Sequence, residues 1–260
     1  MKRSITIIGA GNLATHVSQE LQGAGYEILQ VYSRTLTSAR ELGEKLKVEY
    51  ITSVDELSKD SDIYIVALKD SAVQGVLSKI DFKNKPLVHC SGSLPLSILD
   101  EYSEKTGVLY PLQTFSKNRK VNFSEIPVFV EANNPETEKL LMELAESISP
   151  KVAVLNSEKR KSLHISAVFA CNFVNHFYTL AGDFLKTHNL PFDVLRPLIS
   201  ETAQKVQEMY PEDAQTGPAV RFDENIINDH LEQLKNFPEH KELYKSISKS
   251  IFARHQERNK

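Results

Sequence analysis

Ser4-Ile5-Thr6-Ile7-Ile8-Gly9-Ala10-Gly11-Asn12-Leu13-Ala14 is the stretch that decides how this chain is read. A compact apolar run passes directly into the pattern G-x-G-x-x-A. Helical periodicity follows over Asn12–Ala24, with Leu13, Val17 and Leu21 on one face. Each small residue of the pattern has a mechanical reason. Gly9 lets the chain turn sharply out of a strand. Gly11 has no Cβ, so backbone can approach a pyrophosphate, and Ala14 lets the new helix pack close to the sheet. The first-turn N–H groups, at Asn12, Leu13 and Ala14, then face the anion. The same spacing also serves a plain tight strand-to-helix turn, and the context separates the two: this motif follows an apolar strand and opens an amphipathic helix.

Outward from that motif, β-rich runs and helical patterns alternate. Strands are expected at Ser4–Ile8, Glu27–Ser33, Val48–Ile51, Ile63–Leu68, Pro86–Cys90, Val108–Leu112, Val128–Val130 and Val152–Leu155. A helix is expected over Thr37–Lys47, with Thr37 or Ser38 as its N-cap, and another over Glu136–Ile148. Ile63–Leu68 is almost wholly apolar, as a strand covered on both faces should be. Alternation of this kind implies parallel βαβ units with right-handed crossovers. From Ser157 onward only helical periodicity remains, over Ser162–Lys186, Pro191–Met209, Ile226–Asn236 and Glu239–Arg254. The expected fold is therefore α/β, a Rossmann-type doubly wound, mostly parallel sheet over 1–155, followed by an all-α domain over 156–260.

The end of the second strand reads Val31-Tyr32-Ser33-Arg34-Thr35. Sites that prefer NAD place Asp or Glu there, on the adenosine ribose hydroxyls. Here there is no carboxylate. Arg34 can lie on a 2′-phosphate and stack on adenine, and Ser33 and Thr35 can donate hydrogen bonds to the same phosphate. The segment favours NADP(H), the alternative being a surface arginine on an ordinary βα loop.

Composition excludes more than it selects. The 260 residues are 41% hydrophobic and 25% charged, with a net charge of −3 and no long block of one sign. That gives no electrostatic reason to expect a nucleic-acid or membrane partner. No stretch approaches the ~20 apolar residues of a membrane helix. The apolar run after Met1-Lys2-Arg3 is too short for a signal peptide and turns into the glycine motif. The two cysteines, Cys90 and Cys171, have no metal-finger spacing and fit a reducing cytoplasm. The histidines show no ligand spacing with carboxylates or cysteines, so no metal site is expected.

Ile7–Ala14, Val31–Thr35, Val66–Asp70, His89–Ser93, Tyr110–Phe115, His164–Asn172 and Thr216–Asp223 carry a resemblance that spans nearly the whole chain. The sequence resembles a bacterial NADP oxidoreductase family in which a Rossmann-like domain precedes a helical domain of unknown function. That family is related to pyrroline-5-carboxylate reductase, 6-phosphogluconate dehydrogenase and ketopantoate reductase. The resemblance implies that Leu68, Lys69 and Asp70 form the loop passing the nicotinamide ribose. A common proline of that loop is replaced here, and Asp70 is also a candidate helix N-cap. It implies that Ser91, Gly92 and Ser93 help to bind substrate. His89 is read as a strand-end support for that loop, the alternative being a catalytic group, and Cys90 as a small core residue rather than a nucleophile. Gln113 and Thr114 are further candidates for the cleft.

On the long helix, related dehydrogenases use a Lys and an Asn one turn apart. Here Val168 stands one turn before Asn172, and His164 is the nearest titratable group, with Lys161 a turn earlier. His164 is expected as the proton donor and Asn172 as the residue that orients substrate, both on one helical face at i and i+8. The alternative role for this pair is to satisfy polar groups at an interface. Arg221, after the Gly217-Pro218 turn, is a candidate anchor for a carboxylate or phosphate, or else a partner of Asp223. The expected activity is NADPH-dependent hydride transfer to or from a small C=O or C=N substrate, acidic ones included. The resemblance also implies a homodimer through the helical domain. A non-catalytic NADP(H)-binding regulator, and a Rossmann-like protein using another nucleotide, remain as other readings.

Overall fold

A computed structural model describes residues 3–82 and 84–258. Eight strands form one sheet: β1 (Ser4–Ile8), β2 (Glu27–Tyr32), β3 (Glu49–Ile51), β4 (Ile63–Val66), β5 (Leu87–His89), β6 (Thr106–Pro111), β7 (Val128–Ala132) and β8 (Val152–Val154). Their order is β3-β2-β1-β4-β5-β6-β7-β8. All neighbours pair in parallel except β6 and β7, which run antiparallel. The first six strands therefore have the doubly wound order, in which direction of winding reverses between β1 and β4. The sheet and its order follow the expected fold class.

Both faces of the sheet are covered, which is why its central strands read as apolar runs rather than as alternating ones. On one face Ile5, Ile7, Val31, Ile63 and Ile65 pack with Ala14, Val17 and Leu21 of α1 (Asn12–Gly23) and with Leu42 of α2 (Leu36–Leu46). The other face takes Ile8, Tyr32, Tyr64 and Val66, with Val73 and Leu77 of the short α3 (Val73–Leu77). Helix α4 (Pro135–Glu146) seats Leu140, Leu141 and Leu144 in the first cluster. It starts where Pro135 occupies the first turn and the Asn134 side chain accepts from Thr137 N–H at 2.9 Å.

After β8 the chain is helical: α5 (Ser157–Ala167), a π-helical turn (Val168–Phe173), α6 (Val174–Thr187), α7 (Arg196–Glu208), the single turns α8 (Pro211–Ala214) and α9 (Pro218–Arg221), α10 (Glu224–Gln233) and α11 (Pro238–Arg258). Among the described residues no helix is long and apolar enough to cross a membrane. Two compact units divide the chain, Met1–Asn172 and Phe173–Lys260. The last strand ends at Val154 and α5 begins at Ser157. Compactness divides the chain further on, because α5 and the π turn belong to the sheet unit.

Three local expectations are corrected. Helix α2 begins at Leu36, so its N-cap is Thr35 rather than Thr37 or Ser38, and the Thr35 hydroxyl makes no capping bond. The long helix begins at Ser157, five residues before the expected start. Asn156 caps it by accepting from Lys159 N–H at 2.9 Å. Asp70 is not an N-cap: Lys69 holds that position and Asp70 is the first residue of a 3-10 turn.

Candidate active site

The carboxyl ends of the strands stay in register one residue beyond the strands themselves. Gly9 N–H donates to Tyr32 O (2.8 Å), Ser33 N–H to Ile51 O (3.1 Å), Ala67 N–H to Ile8 O (2.8 Å) and Cys90 N–H to Val66 O (3.1 Å). Gly9, Ser33, Ala67 and Cys90 thus open their loops along one edge of the sheet, where open α/β sheets bind ligands.

The two glycines of the motif have different jobs. Gly9 has φ of +127°, and a Cβ on it would overlap the Ala67 carbonyl oxygen. It is required by the fold itself. At Gly11 a Cβ would meet nothing within 4 Å. The space beside Gly11 is open, at the start of a helix with no side-chain cap and no acidic residue in its first turn. Such an end favours an anion, since its N–H groups lack intrahelical acceptors and the helix dipole is positive there. Arg34 and Thr35 are exposed at the end of β2, and Arg34 takes part in none of the ion pairs among the described residues. A pyrophosphate beside Gly11 and a 2′-phosphate beside Arg34 fit what these residues offer.

The loops after β4 and β5 are joined to one another. The Ser93 hydroxyl donates to Asp70 Oδ2. Ser91 Oγ accepts from Ser93 N–H and from Leu94 N–H, both at 3.1 Å. Because the Ser93 proton goes to Asp70, the Ser91 hydroxyl donates its own to Ser93 Oγ at 3.2 Å, and the two serines and Asp70 form a chain of hydrogen bonds. Ser91 N–H in turn donates to His89 Nδ1 at 3.1 Å, which places the neutral imidazole's proton on Nε2. His89 is 1% exposed, and burial, aided by the positive charge of Arg160, pushes it down to about 4. It is a neutral support for the serine loop. Cys90 is sealed in the core, and burial pushes its thiol up to about 12, so it is no nucleophile at neutral pH.

Gly92 carries the loop onto the long helix. A Cβ at Gly92 would stand 2.6 Å from His164 Nδ1 and 2.9 Å from Tyr110 Cζ. The Tyr110 hydroxyl lies 3.0 Å from His164 Nδ1. His164 lines a cleft of about 550 Å³ together with Tyr110, Leu112, Gln113, Thr114, Leu163, Ser166, Ala167, Ala170, Cys171 and Asn172. The sheet unit therefore brings His164, Asn172 and Gln113 together and links them through the serine loop to Asp70. Gln113 also folds back on its own loop, accepting from Thr114 N–H at 2.8 Å.

The i, i+4, i+8 reading of the helix needs one correction. Residues 168–173 form a π-helical turn, which widens the spiral and changes which side chains share a face. Val168 does not line the cleft, whereas Ala167, Ala170 and Cys171 do. Arg221 belongs to the helical unit, exposed at the end of α9. It does not pair with Asp223, which instead caps α10 by accepting from Ile226 N–H at 3.4 Å.

Two residues carry the site without having been singled out from the sequence. One is Tyr110. The other is Arg160, whose side chain is 0% exposed. Its guanidinium donates to Glu131 of β7, to Leu94 O (2.6 Å) and to Ser157 Oγ (3.1 Å). Ser157 N–H also donates to Glu131, and Leu96 N–H donates to Ser157 Oγ at 2.9 Å. A buried ion pair thus fastens the start of α5 to β7 and to the far end of the serine loop. Arg160 reads as one more charged residue in Glu158-Lys159-Arg160-Lys161, and only its partner Glu131, 29 residues away, would have marked it.

A doubly wound sheet with an open glycine at its switch point, a free arginine after β2 and a helical C-terminal region defines a dinucleotide-dependent reductase architecture. Comparisons with known proteins agree. A family model described as "NADP oxidoreductase coenzyme F420-dependent" matches residues 4–92, and one described as "Domain of unknown function (DUF2520)" matches residues 126–251. The chain is 47% identical to the putative NADP oxidoreductase BF3122 of Bacteroides fragilis, with a TM-score of 0.92 over 97% of this chain and 98% of that one. The chain belongs to this NADP oxidoreductase family. More distant structures share the fold. A 1-pyrroline-5-carboxylate reductase from Streptococcus pyogenes is 16% identical, with a TM-score of 0.65 over 97% of this chain and 99% of that one. An imine reductase from Myxococcus stipitatus, in complex with NADP+, is 14% identical, with a TM-score of 0.64 over 98% and 93%. No curated protein matches the sequence.

Proposed function

We propose that this chain is an NADPH-dependent reductase of a small carbonyl or imine compound, with the domain over 1–155 holding the cofactor and the helical region over 156–260 contributing substrate and subunit contacts. When bound, the reduced nicotinamide cofactor supplies a hydride. Gly11 and the first-turn N–H groups of Asn12, Leu13 and Ala14 hold the pyrophosphate, while Ser33, Arg34 and Thr35 hold the 2′-phosphate. Leu68, Lys69 and Asp70 pass the nicotinamide ribose, and Gly9 keeps that loop close to the glycine turn.

The observation that carries the catalytic assignment is the cleft. His164 stands in it, backed by Gly92 and Tyr110, with Asn172 on the same lining. His164 gives a proton to the substrate oxygen or nitrogen as the neighbouring carbon is reduced. An imidazole suits that task near neutral pH. Asn172 and Gln113 hydrogen-bond the substrate, and the Ser91 hydroxyl and Ser93 bind it from the serine loop. Arg221, free of ion pairs among the described residues, is the anchor for an acidic group on the substrate. In the helical unit Phe177, Leu198, Val206, Ile226, Leu243 and Ile247 remain exposed, and a second copy of the chain is the natural cover for them. A reducing cytoplasm suits the two unpaired thiols.

Titration of the purified protein with NADPH and NADH, followed by nicotinamide fluorescence, tests the cofactor site. NADPH should bind at least ~10-fold more tightly, about 1.4 kcal/mol. Arg34→Ala should erase that difference, and Gly11→Ala should weaken both cofactors without lowering stability. Equal affinity in the parent protein, or no binding at all, would sink the assignment. With binding established, a panel of small ketones and cyclic imines read by NADPH oxidation, in the parent protein and in His164→Gln, tests turnover.

A further inference from the structure

The reading above uses His164 as the acid and leaves Tyr110 without a function. Yet β6 ends by delivering this ring to the imidazole. The Tyr110 hydroxyl lies 3.0 Å from His164 Nδ1, and the two rings meet edge to face with centroids 6.1 Å apart. The Gly92 backbone closes another side, so close that a methyl group there would collide with Nδ1 at 2.6 Å. Tyr110 is almost wholly buried, whereas His164 is half-buried and lines the cleft. The order is thus phenol behind, imidazole in front.

We propose that Tyr110 is a positioning residue for His164, its hydroxyl holding Nδ1 so that Nε2 is the nitrogen offered to the substrate. The proposal rests on the reading of His164 as the proton donor. A phenol hydroxyl both gives and takes a hydrogen bond. Against neutral His164 it donates to Nδ1, and the ring proton must then sit on Nε2. Against the imidazolium its oxygen accepts from Nδ1–H. Both states keep the same heavy-atom positions. A carboxylate in this place would hold the ring cationic, and an ammonium would oppose its protonation. The hydroxyl allows the proton to come and go without the ring turning.

The substrate carbon gains a hydride, and the π pair of the C=O or C=N bond moves to the oxygen or nitrogen. That atom takes the Nε2 proton of the imidazolium. His164 is left for the moment as its Nδ1–H tautomer, donating to the Tyr110 oxygen, and solvent returns a proton to Nε2. The resting neutral ring, with its proton on Nε2, forms when the imidazolium instead gives up its Nδ1 proton and the hydroxyl turns to donate. Burial raises the Tyr110 hydroxyl above its ordinary value, opposed by the positive charge of Arg160, so the phenol itself stays protonated. Other ionisable groups nearby are already engaged: Arg160 with Glu131, Asp70 with Ser93, and His89 with Ser91. Cys171 lines the cleft on the helix that carries His164.

Imidazole nitrogen resonances of the full chain, labelled with isotope-enriched histidine, test this between about pH 5 and pH 9, where histidines titrate. His164→Gln identifies the resonance. In the parent protein the neutral ring should carry its proton on Nε2. In Tyr110→Phe the neutral ring should become a tautomer mixture, with the other histidines unmoved. Gly92→Ala should disturb the same resonance by pushing on Nδ1, and serves if Tyr110→Phe folds poorly. An unchanged tautomer in both variants would overturn the proposal. Spectra that shift as expected, in a protein whose His164→Gln variant still turns over, would leave the pairing standing and remove His164 from the chemistry.

Discussion

Ile5, Leu21 and Leu141 of the sheet unit are sealed from solvent, whereas Leu198, Phe177 and Ile247 of the helical unit are 62%, 40% and 43% exposed. The contrast is chemical as well as geometric. The sheet is covered on both faces by helices from its own chain, and the apolar residues of its central strands find partners there. In the helical unit α6 and α7 contain no buried residue at all. Its apolar side chains are those of an amphipathic helix bundle, but the chain provides only part of the surface that they need. One unit buries most of its apolar side chains within itself, and the other leaves many of them exposed. The candidate site follows the same division, since His164, Tyr110, Asn172 and the serine loop all belong to the sheet unit.

The largest effect expected within the sheet unit comes from Arg160→Met. It leaves Glu131 without its cation and frees the serine loop from α5, and should cost about 3–5 kcal/mol in chemical denaturation. Adding Glu131→Gln should recover part of that loss. A single replacement that is neutral would show that the pair is not what seals this unit.

Acid should act on the same unit through His89. Its folded value, about 4, lies below the ordinary value of 6.5. As pH falls, the unfolded chain takes up this proton first, so stability is full above the ordinary value and is lost down to the folded one. The loss should total about 3 kcal/mol. His89→Asn, which can still accept from Ser91 N–H, should flatten this part of the stability–pH curve. An unaltered curve would mean that His89 is not the buried neutral group.

The helical unit should respond differently. Leu198→Glu should leave the circular dichroism and melting of a folded protein but shift its sedimentation toward a single chain, because that side chain is already in water in the lone chain. Loss of fold instead would erase the contrast between the two units. The smallest effect is a rate: at mild alkaline pH a thiol reagent should label Cys171 in the cleft and leave Cys90 untouched until the protein unfolds. Equal labelling of both would show the sheet core to be open.

Within the candidate site, legibility followed the range of the interaction. The positions of Gly9, Gly11, Arg34 and the serine loop at strand ends were readable because they depend on a strand end and a few neighbours in sequence. His164 and Asn172 were readable as polar residues on an apolar helix, although the π turn that reshapes their common face left no periodic mark. Tyr110 and Arg160 were not readable, because nothing local distinguishes a strand-end tyrosine or one basic residue in a charged run. Their importance comes from His164 and Glu131, brought near by the folding of the whole sheet.

The sequence by itself determined the eight strands, the doubly wound class and the anion-ready helix end. These rest on periodicity and on backbone freedom, which are local properties. The tertiary structure alone decided that Gly9 is forced by the Ala67 carbonyl while Gly11 borders open space, that α5 packs as part of the sheet unit, and that Tyr110, Gly92 and His164 meet. Those facts depend on distances between segments far apart in the chain, and only the closed packing of the sheet and its helices sets such distances.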